Sequence, residues 1–314
     1  MKKLPLLILL CAAMGACAIS AYAEGAKKNV LMIAGRPSHG PGEHEHNAGV
    51  QLLAKCLQQG AADRVAVKFH LNADWPSAEE FVNADTVVIY SDGGGGHPGA
   101  QPDHLKQLAA EMKRGCGFVC LHYAVEVEAD KGGPEFKDWL GGYFEKNWSV
   151  NPHWPADFKT LPNHAISRGV QPFSTTDEWY YHMRFRDGMS GVTPILTDLP
   201  PAASLSRGDG THSGNPTVRR EVIEEKKPQH VAWAVERADG GRGFGFSGGH
   251  FHKGWGNDSQ RKLVLNAIVW SAKAEVPQGG IVSKVTEEDL AANLDPKPPR
   301  KPAPPKPQPA AAKP

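Results

Sequence analysis

The sequence predicts an α/β fold with a mostly parallel sheet and helices on both faces, and three observations carry that expectation. Short apolar runs end on glycine or polar residues, stretches of helical spacing separate them, and 314 residues with 40% hydrophobic content suffice for one large core. NVLMIAG (29–35) has the continuous apolar character of a strand buried on both faces. His46, Val50, Leu53 and Leu57 then recur at helical spacing and run out near Gly60. VAVKFHL (65–71) and TVVIY (86–90) read as the second and third strands, the latter followed by Ser91, Asp92 and four glycines. Asp103 is placed to cap a helix through Leu105, Leu108, Ala109 and Met112, and GFVCLHY (117–123) reads as the fourth strand.

The second half is less regular. Residues 126–174, with several Trp, Pro and Gly, read as an excursion covering an edge of the sheet. DEWYYHMRF (177–185) and TPILTDL (193–199) read as strands, Asp239-Gly240 as the turn of a hairpin, and residues 259–272 as a final helix.

Both ends differ from this body. Lys2 and Lys3 precede an apolar run over 4–19, and Ala21-Tyr22-Ala23 fits the small-x-small preference of signal peptidase. Residues 1–23 therefore read as a signal peptide and 24–285 as one exported, periplasmic domain with no stable membrane insertion after cleavage. A retained anchor and a lipid on Cys17 are the lesser alternatives, because Gly15 interrupts a short apolar segment and the lipoprotein box is poor. Cleavage leaves Cys56, Cys116 and Cys120, an odd trio that makes no disulfide framework. Residues 286–314 read as a Pro/Ala/Lys-rich disordered tail, most marked from Asp295. The 35 basic and 34 acidic residues are interspersed, which argues against nucleic acid or an anionic membrane as partner. No G-K-[ST] follows the four glycines, so nucleotide binding has no support.

Ligands of an open parallel sheet bind beyond the carboxyl ends of its strands. His39 follows the first predicted strand, Asp92 and His97 the third, His122 closes the fourth, and His250 and His252 follow the last. Imidazole is the commonest protein ligand for transition metals. His39, His122, His250 and His252 are therefore the candidate ligands of a divalent ion, zinc or a similar transition metal. In SGGHFHKGW (247–255) the glycines permit a sharp turn, and an extended chain points His250 and His252 to one side. A solvated glycine-rich loop with incidental histidines is the competing reading. His44 and His46 diverge on a helix; His46 fits the apolar stripe as a core residue, and Glu43 and His44 are better placed for ligand contact.

Gly245 to Gly249 matches the G-x-S-x-G of serine hydrolases, but no helix follows at once, which argues against Ser247 as nucleophile. Cys120 sits in an apolar strand and reads as a small buried hydrophobe. Glu178, Tyr180, His182 and Arg184 alternate along one predicted strand face. That face is either half exposed or the wall of a saccharide pocket, with Trp255 or Trp148 as a stacking surface.

The motifs SHGPGEHEHNAG, CLHYAVE, NHAISRGV, DEWYYHMRF and the stretch from GRGFGFSGGHFHKGWG onward together resemble the ThuA-like (trehalose utilisation) family, over roughly 27–283. The resemblance implies a flavodoxin-like, doubly wound sheet of the class I glutamine amidotransferase type. It also implies saccharide catabolism, in some relatives the processing of 3-keto-glycosides with a divalent metal. The family's motif histidines and acidic residues fall on His39, Glu43, His44, His122, Glu178, His250 and His252. Where an amidotransferase carries its nucleophilic cysteine this chain has His122 in CLHYA, which argues against glutamine hydrolysis, and the family's His-Pro-Ile reads His164-Ala165-Ile166.

The functional expectation is a metal-dependent lyase or hydrolase of oxidised sugars, with Glu178, His44 and His122 catalytic and Asp92, Tyr180, His182, Arg184 and Trp255 binding substrate. A non-catalytic saccharide-binding protein is the alternative, and a scaffold docking partners through its tail the third. Sugar, linkage and oligomeric state are left open.

Overall fold

Alternation of side chains in the first strand, β1 (Lys28–Ala34), sets the layers of the molecule. Val30 and Met32 enter one core, and Leu31 and Ile33 enter another on the opposite face. The structure, a computed structural model, describes residues 26–298. The expected signal peptide and the tail from residue 299 lie outside the described residues. After β1 come α1 (His46–Ala61), β2 (Val65–His70), α2 (Ala78–Asn83), β3 (Thr86–Tyr90), α3 (Pro102–Lys113) and β4 (Gly117–Leu121). The excursion holds α4 (Gly133–Trp139), β5 (Gly142–Tyr143) and β6 (Trp154–Phe158) and runs into β7 (Phe173–Asp177), after which comes β8 (Arg184–Phe185). Then follow β9 (Val192–Asp198), α5 (Pro216–Arg219), β10 (Gln229–Glu236), β11 (Arg242–Phe246), α6 (Asp258–Ser271) and α7 (Glu287–Ala291).

The main sheet has the order β2-β1-β3-β4-β11-β10-β9, parallel from β2 through β11, with β10 and β9 antiparallel. Val50, Leu53 and Leu57 of α1 and Leu263, Val264 and Ile268 of α6 fill one face. Phe81 of α2 and Leu108 and Met112 of α3 fill the other. This is the doubly wound α/β fold expected. Strands β5 and β8 pair as one small antiparallel sheet and β6 and β7 as another, which gives the excursion its own backbone partners.

Register brings the carboxyl ends of the strands level. Ala34 pairs with Tyr90, Tyr90 with Leu121, and Leu121 with Phe246, so the loops beginning at Gly35, Ser91, His122 and Ser247 share one rim.

Four local expectations are corrected. Strand β4 ends at Leu121, because His122 has φ 56° and opens a 3-10 turn. Helix α3 starts at Pro102 with Gln101 as N-cap, so Asp103 lies within the first turn and not at the cap. Residues 177–185 are not one strand: their two ends join separate ladders, Tyr181 makes an isolated bridge to Val150, and His182 sits at φ 59°. Trp179, Tyr180 and Tyr181 are buried at consecutive positions, which an alternating strand facing solvent does not allow. Residues 286–297, expected as part of the tail, are ordered against the domain. Thr286 and Asp289 form a capping box on α7, Leu290 packs against the main core, and the chain stays docked through Lys297.

His97 follows β3 as expected but turns inward. Its Nε2 lies 3.1 Å from the Ala124 carbonyl oxygen, so it donates there, and its Nδ1 accepts the Gly99 N–H at 3.0 Å. Both ring nitrogens of the neutral imidazole are thus used. Burial holds its pKa at about 4, below the usual 6.5, so the unfolded chain takes up a proton first as pH falls. The His97 contribution is complete above pH 6.5 and is lost toward pH 4. His46 and His252, also pushed down to about 4 by burial, act in the same direction. Urea unfolding across this window is expected to lose about 1.4 kcal/mol per pH unit for each such proton, and His97→Gln is expected to reduce the slope by about one proton. An unchanged slope in that variant contradicts the assignment.

Candidate metal centre

Three histidines on the rim adopt backbone that non-glycine residues rarely use: His39 at φ 59°, His44 at 45° and His122 at 56°. Each such residue costs about 1–3 kcal/mol and persists where its surroundings hold it. At His122 the left-handed turn swings the imidazole across the end of the sheet, where Nδ1 lies 2.8 Å from the Ser247 carbonyl oxygen. At His44 it aims the ring inward from the loop before α1. That loop is zipped to the last one by two backbone bonds, His44 N–H to the His250 carbonyl and His252 N–H to the Gly42 carbonyl.

The third segment is fixed by a buried carboxylate. Asp177, at the end of β7, accepts the N–H groups of Gly249 at 2.8 Å, His250 at 3.0 Å and its neighbour Glu178 at 2.8 Å. Gly249 turns the chain at φ 101°, and its neighbour Gly248 is so close to the Trp179 ring that an added Cβ would lie 2.4 Å away. One side chain thus seats both His250 and Glu178.

The four side chains meet at one point. His44 Nε2 lies 3.0 Å from His122 Nε2 and 3.0 Å from His250 Nδ1, and the last two are 3.3 Å apart. Glu178 Oε2 lies 3.1 Å from His250 Nδ1 and 3.6 Å from His122 Nε2. A tetrahedral ion with bonds of about 2.0–2.1 Å has ligand–ligand edges of about 3.3–3.4 Å; these five distances lie close to that, and all four atoms fall within 4.8 Å of one another.

The outer ring nitrogens decide the chemistry of the inner ones. His122 Nδ1 faces a carbonyl oxygen, which only accepts, so in the neutral ring Nδ1 carries the hydrogen and Nε2 its lone pair. His44 Nδ1 faces Asp92 Oδ1 at 2.6 Å with the same result. His250 Nε2 lies 3.3 Å from Glu43 Oε1. Burial, then the neighbouring imidazoles, push the pKa of His44 down, and burial does the same at His122, so both rings are neutral at pH 7. Two lone pairs 3.0 Å apart beside a carboxylate repel one another, and a divalent cation removes the repulsion. His44, His122, Glu178 and His250 could hold one metal ion.

The other expected site residues fall into three groups. Tyr180 belongs to the cluster: its hydroxyl donates to Glu178 at 3.1 Å and lies 3.3 Å from His122 Nε2, and burial keeps it protonated. His39 and Asp92 form the rim. His39 stacks on His44 with centroids 3.5 Å apart, its side chain 41% exposed, and stands outside the four-donor set in a second group with His44 and Asp92. His182, Arg184, Trp255 and His252 are not brought to the cluster. His182 lies against the Trp148 carbonyl and Glu221, and Arg184 pairs with Glu145 over the Trp148 ring. Trp255 is wholly buried between Tyr90 and Phe246, so it has no free face for a sugar. His252 opens a 3-10 turn where the extended chain ends, so it does not share the direction of His250. Its ring is buried, feels the charges of Glu45 and Lys297, and meets the Leu290 backbone.

Ser247 and Cys120 are both buried. The Ser247 hydroxyl is buried and donates to the Tyr180 carbonyl, and burial pushes the Cys120 thiol well up. Cys56, Cys116 and Cys120 are all free and buried. Asp177 and the half-exposed His153, whose Nε2 lies 3.7 Å from Glu178 Oε1, were not legible as site residues. A 440 Å³ cavity lined by Arg36, Ser91, Asp92, Gln101 and His104 adjoins the cluster at Asp92.

Fold and site together define a doubly wound α/β protein of flavodoxin-like type with a histidine-rich cluster at its strand ends. Residues 29–271 match the profile of the ThuA family, described as trehalose utilisation, and the chain belongs to that family. A putative ThuA-like protein from Bacteroides uniformis ATCC 8492 is similar in structure, with TM-score 0.53, 16% identity, and coverage of 80% of this chain and 94% of that one. Another from Parabacteroides merdae ATCC 43184 has TM-score 0.50, 15% identity, and coverage of 83% and 94%. These likenesses establish the fold. No curated protein matches the chain. No helix among the described residues is long and apolar enough to cross a membrane.

Proposed function

We propose that this protein is an exported, metal-dependent lyase or hydrolase of saccharide catabolism, acting on 3-keto-glycosides or related oxidised sugars. The observation that supports it best is the convergence of three imidazoles and a carboxylate, with the outer nitrogens His44 Nδ1 and His122 Nδ1 pointing at acceptors. Imidazole donors favour zinc or a similar transition metal over magnesium or calcium. Export rests on the basic, apolar and small-residue pattern of residues 2–23.

When bound, a divalent ion supplies Lewis-acid stabilisation to charge developing on the C3 oxygen of the sugar. The protein supplies the proton transfer. A C3 ketone acidifies the C2 proton, and a carboxylate takes it as the C1–C2 double bond forms and the bond from C1 to the aglycone oxygen breaks. The aglycone leaves with a proton from solvent, and water adds at C1. Both ring nitrogens of His44 are committed, one to Asp92 and one to the donor set, whereas Glu178 gives the set only Oε2 and keeps Oε1 as the acceptor. Its Oε1 faces the half-exposed His153, and the Tyr180 hydroxyl holds Oε2 in place. Asp92 also lines the adjoining cavity, the space this reading gives to the rest of a glycoside.

Incubation of metal-loaded and chelator-stripped protein with 3-keto and unoxidised glucosides tests the reading. Aglycone release is expected only from the keto substrate and only with metal, falling roughly 10²- to 10⁴-fold in Glu178→Gln. Release from neither substrate contradicts it.

A further inference from the structure

The chain beyond the family domain returns to the metal-binding loop. The family match ends at residue 271, yet α7 docks on α1 through the Lys55 and Asp289 ion pair and through Leu290. The segment after α7 then crosses the start of α1. Asp295 N–H donates to Glu45 Oε2 at 2.9 Å, and Asn47 Nδ2 donates to Asp295 Oδ1 at 2.8 Å. Two residues later the Lys297 side chain is only 3% exposed, inside the loop that carries His44.

A lysine so buried needs partners for all three hydrogens. Lys297 Nζ donates to the Glu43 carbonyl, donates to the His44 carbonyl at 3.2 Å, and pairs with Glu45 Oε1 at 3.2 Å. Glu45, 1% exposed, also accepts the Gly42 N–H at 2.8 Å. Two successive carbonyls turned to one ammonium is the arrangement that the left-handed backbone at His44 produces. Removing the ammonium leaves those carbonyls and the Glu45 carboxylate buried with one partner fewer, and the bend loses what offsets its strain.

We propose that Lys297 is a positioning residue for His44: from a C-terminal strap outside the family domain, its ammonium locks the loop that holds the His44 imidazole in the metal donor set. The proposal rests on the metal reading of the cluster, since His44 matters here as a ligand. It makes an intact strap a condition of tight metal binding, so the tail is part of the site and not an appendage to it.

The test uses the full chain and two independent readouts. Zinc affinity, measured in competition with a chromophoric chelator, is expected to fall about tenfold or more in Lys297→Met, the range in which outer-shell losses act. Asp295→Ala, which loosens the strap and leaves every group at Lys297 in place, is expected to give a smaller loss. In the metal-free protein, ¹⁵N-labelled histidine side chains are compared by two-dimensional NMR. The His44 ring signals are expected to shift in Lys297→Met while those of His97, remote from the strap, stay in place. If the wild-type protein takes up no zinc, the metal reading fails and the His44 signals alone decide the role of Lys297. Wild-type affinity together with unmoved His44 signals in Lys297→Met overturns the proposal.

Discussion

His122→Ala is expected to lower the affinity of the protein for a divalent transition metal by more than about a hundredfold, beyond the 10–100-fold typical when only an outer-shell partner is lost. His122 Nε2 is one of three imidazole nitrogens in the donor set, and its fixed tautomer makes that nitrogen a lone pair at neutral pH. The variant also leaves the buried Ser247 carbonyl without its imidazole donor, so the metal-free protein is expected to lose about 1–3 kcal/mol as well. Asp92→Asn separates the two effects. Its amide can present a hydrogen to His44 Nδ1, which moves the ring proton to Nε2 and closes the lone pair toward the metal. A loss of about 10–100-fold with little change in stability is expected there. Metal titration and urea unfolding on the same preparations measure both.

Asp177→Ala is expected to be the most destabilising single change at the rim. One carboxylate accepts three N–H groups, those of Glu178, Gly249 and His250, and alanine leaves them without this acceptor in a buried loop. At about 1–3 kcal/mol for each unsatisfied group the loss reaches several kcal/mol. Metal binding is expected to go with it, because two of the three groups carry the ligands His250 and Glu178. Asp177→Asn keeps one acceptor oxygen and is expected to fall between the alanine variant and the wild type. Burial pushes the Asp177 pKa up to about 6 against the bonds from Gly249 and Glu178, which lower it. A raised folded pKa means that ionising Asp177 costs stability as pH rises from about 3.8 through 6, so the margin by which wild type exceeds Asp177→Asn is expected to widen as pH falls from 6 toward 3.8. A gap independent of pH contradicts the assignment of that titration to Asp177.

The sheet was legible because parallel strands covered on both faces leave continuous apolar runs such as TVVIY, whose predicted limits coincide with β3. Once the strands are read, topology puts the residues after them on one rim, and His39, Asp92, His122 and His250 are found there. Residues 177–185 misled because their polar and aromatic residues alternate with a period of two. The chain there passes between two small sheets and is packed on every side, and two-sided burial leaves no periodic trace. The pairing of His250 with His252 failed for a related reason, since alternation lasts only while the chain stays extended and His252 begins a turn. Trp255 in a glycine-rich loop suggested an exposed ring, but it serves as the apolar partner of Tyr90 and Phe246. Asp177 acts on the N–H groups of a segment more than seventy positions away, as the bond to Gly249 spans |i−j| of 72, and no local pattern marks such a contact. Lys297 was hidden in a composition that signals a solvated chain, because its burial is specified by Glu45 at the far end of the domain.

The account turns on imidazoles from three remote loops sharing one ion with Glu178. X-ray absorption at the metal edge of zinc-loaded protein tests that most directly. The expected result is one zinc per chain with three nitrogen donors and at least one oxygen at about 2.0–2.1 Å, and a histidine shell that disappears in His122→Ala. Substoichiometric uptake, or a shell of oxygen or sulfur without imidazole, contradicts it.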